Sequence, residues 1–130
     1  MSNVPAELSY TSEHEWVSAL TAEGTVRVCI TDHAQDALGD VVYVDLPSVG
    51  DSVAAEDSFG EIESTKSVSD LFAPVAGEIV AVNEGLEDDP ALVNSDPYGE
   101  GWIIEIRPEN ADDLANLLDA EAYKAELAKL

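Results

Sequence analysis

The stretch Phe59-Gly60-Glu61-Ile62-Glu63-Ser64-Thr65-Lys66-Ser67-Val68-Ser69-Asp70-Leu71-Phe72-Ala73-Pro74-Val75 decides how the rest of the chain is read. Lys66 is the only lysine among the first 123 residues; Lys124 and Lys129 fall in the last seven. A chain this poor in lysine has little use for one as general solubilising charge. Glu61, Glu63 and Asp70 lie close by, so one reading is an ammonium that balances carboxylates. The other is a modified amine, since acylation removes the charge and places a new group on a flexible stem. The flanks favour modification. Phe59 to Glu63 is strand-like and ends in Ser64-Thr65, and Ser67 to Phe72 leads into the turn signal Ala73-Pro74-Val75-Ala76-Gly77. Strand-like Glu78 to Val82 follows. Strands joined through small polar residues predict a hairpin with Lys66 at or near its tip and Gly77 to Val82 pairing back. Loop tips held by strands are where functional groups are presented. A loose internal echo brackets the hairpin: Gly50-Asp51-Ser52-Val53 leads to Phe59–Glu63 as Gly77-Glu78-Ile79-Val80 leads to Gly101–Ile106.

Outward from the hairpin, alternation and punctuation predict a mainly β chain. Met1 to Leu8 reads as a loose arm. Trp16 to Leu20 and Thr25 to Ile30 read as strands joined by Ala22-Glu23-Gly24. In the second, Val26, Val28 and Ile30 share one face, which puts Cys29 on the other as a packing residue. Thr31 is an N-cap signal for a short helix, Asp32 to Leu38, stopped by Gly39. Val41 to Leu46 is a further strand, and Asp51 to Asp57 a turn-rich link. Glu84 to Gly101, acidic and rich in Pro, Gly and Asn, reads mostly as loop. Trp102 to Ile106 is the last strand, ended by Pro108. From Ala111 the period becomes helical, through Leu114, Leu117, Leu118, Tyr123, Leu127 and Leu130. Asn110 and Asp119 are placed as caps, for two short helices or one kinked helix, and Lys124 and Lys129 suit a helix C-terminus. The expected fold is two small antiparallel sheets packed as a flattened barrel or sandwich, with a short internal helix and C-terminal helices.

Composition bounds the function. The 130 residues suffice for one domain with a modest core, here about 10–107 with a helical segment about 111–129. Apolar residues make up 45% of the chain, which predicts a globular protein. With 28 acidic and five basic side chains the formal net charge is −23. Electrostatics therefore oppose binding to nucleic acid or to an anionic membrane surface, and favour a monomer steered toward basic patches on partners. No apolar run approaches the roughly 20 residues of a membrane span. One cysteine, Cys29, cannot form an internal disulfide and suits a reducing compartment, so a cytoplasmic protein is expected. His33 lacks ligand partners at helical spacing and His14 is flanked by Glu13 and Glu15, a weak metal signal. The chain has no nucleophile elbow and no phosphate-binding glycine loop. A carrier whose chemistry resides in a cofactor fits better than an enzyme.

The chain resembles the glycine cleavage H proteins, which are lipoyl carriers, from about Tyr10 to Leu118. The resemblance rests on Ser12-Glu13-His14-Glu15-Trp16-Val17, Ile30 to Val42, Phe59 to Lys66, Ser69-Asp70 and Pro74 to Glu78, then Val82 to Leu86, Pro90 to Asn94 and Asp96 to Trp102. It implies the barrel–sandwich hybrid fold shared by lipoyl and biotinyl carriers. It also implies lipoic acid in amide linkage on Lys66, loaded by a lipoate-attaching enzyme. The implied partners are a pyridoxal-phosphate glycine decarboxylase, which transfers an aminomethyl group to the arm, and a tetrahydrofolate-dependent aminomethyltransferase, which removes it. A dihydrolipoyl dehydrogenase using FAD and NAD restores the disulfide. By correspondence, Glu15 and Asp70 line the cleft that receives the loaded arm, with Glu13 in a neighbouring contact position; read alone, Glu15 and Asp70 would be ordinary exposed acids. The family usually has valine before its lysine and alanine-like residues after it, where this chain has Thr65, Ser67 and Val68. Biotin carriers typically flank their lysine with methionine, and here the one methionine is Met1. A scaffold or lipoyl donor for other enzymes is the rival reading.

Overall fold

Alternating burial along short segments builds two antiparallel sheets in the computed structural model, which describes residues 4–129. The start of the expected N-terminal arm (residues 1–3) and Leu130 of the last helical face lie outside the described residues. The larger sheet contains β1 (Ser9–Tyr10), β2 (Glu15–Val17), β3 (Val26–Ile30), β5 (Ser52–Val53), β8 (Gly77–Val82) and β9 (Ile104–Pro108), in the order β1-β2-β3-β9-β8-β5. The smaller contains β4 (Val41–Asp45), β6 (Ser58–Ser64) and β7 (Val68–Phe72), in the order β4-β6-β7. The two ladders stay separate and do not close into a barrel. Their inner faces share one core, with Val44, Ile62 and Leu71 from the small sheet and Val17, Val26, Val28, Ile79, Ile104 and Ile106 from the large one. No helix among the described residues is long and apolar enough to cross a membrane.

The lysine hairpin forms, but with a different second strand. β6 pairs with β7, in the register Glu63↔Val68, Ile62↔Ser69 and Glu61↔Asp70. Gly77–Val82 instead becomes β8 of the other sheet, between β5 and β9. The reason is loop length: Ser64 N–H bonds Ser67 C=O, which leaves Thr65-Lys66 as the two central residues of a tight turn. Pro74, with no N–H to give a ladder, then lies where the chain leaves the sheet. The internal echo has no structural counterpart, because β8 and β9 are neighbours in one sheet whereas β5 and β6 lie in different ones.

Other boundaries follow local physics. Thr31 caps α1 (Asp32–Leu38), its hydroxyl accepting from Ala34 N–H at 3.2 Å, and Gly39 ends it at φ +83°. Cys29 is buried and does not face solvent, since the 97–101 loop covers that side of β3: its thiol donates to Gly101 C=O at 3.1 Å and Trp16 Nε1–H to Pro97 C=O at 2.9 Å. The expected loop 84–101 holds two single-turn helices, α2 (Gly85–Asp88) and α3 (Leu92–Ser95), anchored by buried Leu86 and Val93. The last strand starts at Ile104 and includes Pro108, opposite Gly77.

The C-terminal pattern resolves into two elements, a 3₁₀ helix (Ala111–Asn116) capped by Asn110 and α4 (Ala120–Ala128) capped by Asp119. Between them Leu118 exchanges two backbone hydrogen bonds with Tyr10. Only Lys129 occupies the helix end; Lys124 lies mid-helix and pairs with Glu121 at 3.5 Å. The anchor of α4 is Tyr123. Its ring stacks on Tyr10 at 4.6 Å, and its hydroxyl bonds Thr31 Oγ1 at 2.8 Å and His14 Nδ1 at 2.9 Å. Tyr123→Phe keeps the stack and loses both bonds, so urea unfolding should show a loss of about 1–2 kcal/mol. A variant as stable as the parent would show that packing alone seats α4.

Candidate functional site

Lys66 stands exposed on the two-residue tip of the β6–β7 hairpin. Ser64 organises the tip. Its N–H donates to Ser67 C=O at 2.8 Å, and its hydroxyl oxygen accepts from the N–H groups of Lys66 (3.2 Å) and Ser67 (3.0 Å). Thr65 N–H donates to Asp40 C=O at 3.0 Å, which ties the tip to the turn after α1. The lysine stem lies over Gly39: a Cβ there would sit 3.0 Å from Lys66 Cε. Small polar residues around the lysine are thus hydrogen-bonding parts of the turn, and the helix-stopping glycine is also the floor under the stem.

Beside the tip opens a cleft of about 520 Å³. One wall is β7 with Ser67, the other is α1 with the β2 turn. Its apolar surface comes from Ile30, Ala34, Leu38, Ile62, Val68 and Leu71, and its polar surface includes Glu13, Glu15 and Asp70. The three acids singled out in the sequence therefore meet in one cavity. Lys66 is not in the lining, but its neighbours Ser67 and Val68 are.

The three acids differ in environment. Glu13 and Asp70 are exposed, with Asp70 opposite Glu61 across the hairpin. Glu15 is not the ordinary exposed acid that its sequence suggests; it is 3% exposed. β2 lies between β1 and β3 and abuts the free edge of β7, where Phe72 N–H donates to Glu15 Oε2 at 2.8 Å. Burial pushes the Glu15 carboxyl up to about 8, against a downward pull from the Phe72 bond. Glu15 also lines a second cavity of about 500 Å³, with Tyr10, Phe72, Leu117 and Leu118. Its side chain, with Phe72, belongs to the partition between the two.

His14, read in the sequence only as a weak metal signal, takes φ +67° in the turn that delivers Glu15. Its ring lies 4.8 Å from His33, and burial followed by the His33 charge lowers its pKa. Among the described residues no three His, Cys, Asp or Glu side chains converge as a metal site. Burial raises the Cys29 thiol pKa, which makes it unreactive.

Comparison with known proteins bears on this arrangement. Residues 8–130 match the family model described as glycine cleavage H-protein. The chain is 61% identical over 127 residues to the glycine cleavage system H protein of Psychrobacter sp. (strain PRwf-1), covering 98% of this chain and 100% of that one. It is 63% identical over 131 residues to that of Mycolicibacterium vanbaalenii, covering 98% and 99%. The crystal structure of a glycine cleavage system H protein from Mycobacterium marinum superposes with a TM-score of 0.88 at 47% identity, covering 96% and 99%.

The raised Glu15 pKa has a stability consequence of definite sign. Between its ordinary 4.5 and about 8 the unfolded chain has released this proton and the native state has not, so this group's contribution to stability falls as pH rises. Glu15→Gln abolishes the titration while leaving an acceptor for Phe72. In urea titrations the variant should gain on the parent between pH 4.5 and 8, by on the order of a few kcal/mol. A difference that does not change with pH would show that Glu15 is not held neutral.

Proposed function

The chain belongs to the glycine cleavage H-protein family, non-catalytic lipoyl carriers of the glycine cleavage system, and on that premise we propose that Lys66 is the lipoylated residue. The observation that carries the assignment is an exposed amine on a two-residue hairpin tip, beside a cleft of about 520 Å³ that combines apolar side chains such as Ile30, Leu38, Ile62 and Leu71 with the acids Glu13, Glu15 and Asp70. A hydrocarbon arm amide-linked to Lys66 fits such a cavity, and an amine at its end fits the acids. When bound, the lipoyl group supplies a dithiolane whose sulfur takes up the aminomethyl unit of glycine.

The protein's own residues do the rest. Ile30, Leu38, Ile62, Val68 and Leu71 offer surface to the arm and exclude water from the carried carbon. Asp70 and Glu13 attract the ammonium from the rim. Burial pushes the Glu15 carboxyl up to about 8, and a cation beside it would favour the ionised form, because an opposite charge stabilises the carboxylate. Charge-assisted hydrogen bonding then holds the amine while Phe72 N–H keeps Oε2 in place.

The partners in this reading are four. A lipoate-attaching enzyme loads Lys66, glycine decarboxylase charges the arm, an aminomethyltransferase discharges it, and dihydrolipoyl dehydrogenase reoxidises it. The chain acts as a cytoplasmic monomer, kept apart from its copies by a net charge of −23 and steered to basic surfaces on these enzymes.

Intact mass after incubation with lipoate, ATP and a lipoate–protein ligase tests the assignment. The parent should gain one lipoyl increment and Lys66→Arg none; an increment in both, or in neither, contradicts it. For the cleft, Glu15→Ala should accept lipoate normally yet release its methylamine-loaded form about tenfold faster, the worth of one charge-assisted bond. Unchanged decay would remove Glu15 from the role.

A further inference from the structure

Asn94 lies in α3, 28 residues beyond the lysine in sequence, yet its side chain ends against the turn that supports Lys66. Its three side-chain hydrogen bonds converge on the second half of α1 and the start of β4. Nδ2 donates to Gly39 C=O at 2.9 Å and to Gln35 Oε1 at 3.0 Å, and Oδ1 accepts from Val41 N–H at 2.8 Å. Pairing with the C=O of one residue and the N–H two residues on is what an adjoining strand does. The carboxamide therefore stands in for a strand along the outer edge of β4, which has β6 on its other edge. Between Gly39 and Val41 the peptide direction alternates, and Asp40 C=O points the opposite way, to Thr65 N–H at 3.0 Å. Residues 39–41 are gripped from both sides.

The grip acts on the lysine through two contacts. Thr65, adjacent to Lys66, hangs from Asp40, and the stem of Lys66 rests on Gly39. Gly39 sits at φ +83° and ψ −161°, a backbone state that essentially only glycine adopts, so its carbonyl needs an external donor to stay aimed. Asn94 supplies that donor. The amide orientation is fixed by chemistry, since a flipped Asn94 would set its oxygen against two acceptors.

We infer that Asn94 is a positioning residue for acylation of Lys66, acting through Gly39–Val41 to fix the hairpin tip that presents the amine. The inference rests on the reading of Lys66 as the lipoylated residue. In the attachment step the lysine nitrogen attacks the acyl carbon of a lipoyl adenylate. An N–C bond forms, the bond to the phosphate oxygen breaks, AMP leaves and the amine loses a proton. Such an attack needs the nitrogen held close to the acyl carbon, and a hairpin tip frays readily unless anchored.

The test uses Asn94→Asp, which keeps volume and the acceptor for Val41 but loses both donors, and Asn94→Ala. Amide hydrogen exchange on the unlipoylated chain should quicken about tenfold at Thr65, the worth of one hydrogen bond, while core amides such as Ile62 and Ile106 keep their protection. Ligation of lipoate by ligase and ATP should slow through kcat, with KM for the protein nearly unchanged, and Asn94→Asp should be no better than Asn94→Ala. Exchange at Thr65 equal to that of the parent would overturn the inference. So would a uniform rise at all amides, which would mark Asn94 as a general stabiliser, or a loss confined to KM. Failure of the parent itself to accept lipoate would instead sink the assignment of Lys66, and Thr65 exchange would still report whether the clamp exists.

Discussion

An edge strand must have its outward peptide groups answered, and the site depends on how β7 meets that requirement. Its inner edge pairs with β6, and its outer edge is met at Phe72 by the Glu15 carboxyl at 2.8 Å. The Phe72 N–H is partly buried, and leaving it without a partner would cost on the order of 1 kcal/mol, so the bond fastens the small sheet to β2 of the large one. The same contact places Glu15 in the interior, where burial pushes its carboxyl up to about 8. Between Glu15 and the hairpin tip the cleft runs alongside β7, lined by Val68, Ser69, Asp70 and Leu71. Structural tie, latent charge and cavity are consequences of one arrangement.

Charge is distributed to suit. The exposed carboxylates Glu61 and Asp70 and the half-buried Glu63 surround the hairpin and give it a strongly negative field. An acylated Lys66 would add no positive charge to offset it. Glu15 is the one acid buried among the described residues, and burial pushes its carboxyl up to about 8, toward the neutral form. Carriers of this kind need no catalytic group of their own, and the histidines are absorbed into structure: His14 bonds Tyr123 and packs against His33.

Much of this was legible in the sequence because the signals are local. Thr31, Gly39, Asn110 and Asp119 mark helix ends by side-chain chemistry that acts within a few residues, and each was found in that place. Lys66 stood out by scarcity and by its turn-forming neighbours. Long-range facts were not legible. Which strand pairs with β6 depends on a two-residue loop and on Pro74, and the hydrophobic pattern allowed either partner. Burial of Glu15 follows from its position beside β7, 57 residues away; Cys29 was legible as a packing residue, but not the loop 72 residues on that covers it. Asn94 looks like any loop asparagine until its three partners are seen together.

We propose that the cleft beside the hairpin receives the loaded arm. The most direct measurement is the set of backbone amide chemical shifts of the lipoylated protein, before and after the arm takes up methylamine. The account predicts that Phe72, Glu13 to Glu15 and Val68 to Asp70 move, while amides of the large sheet's far edge, at Ser52 and Val53, stay fixed. Changes confined to Thr65, Lys66 and Ser67 would show an arm that stays in solvent, and would contradict it.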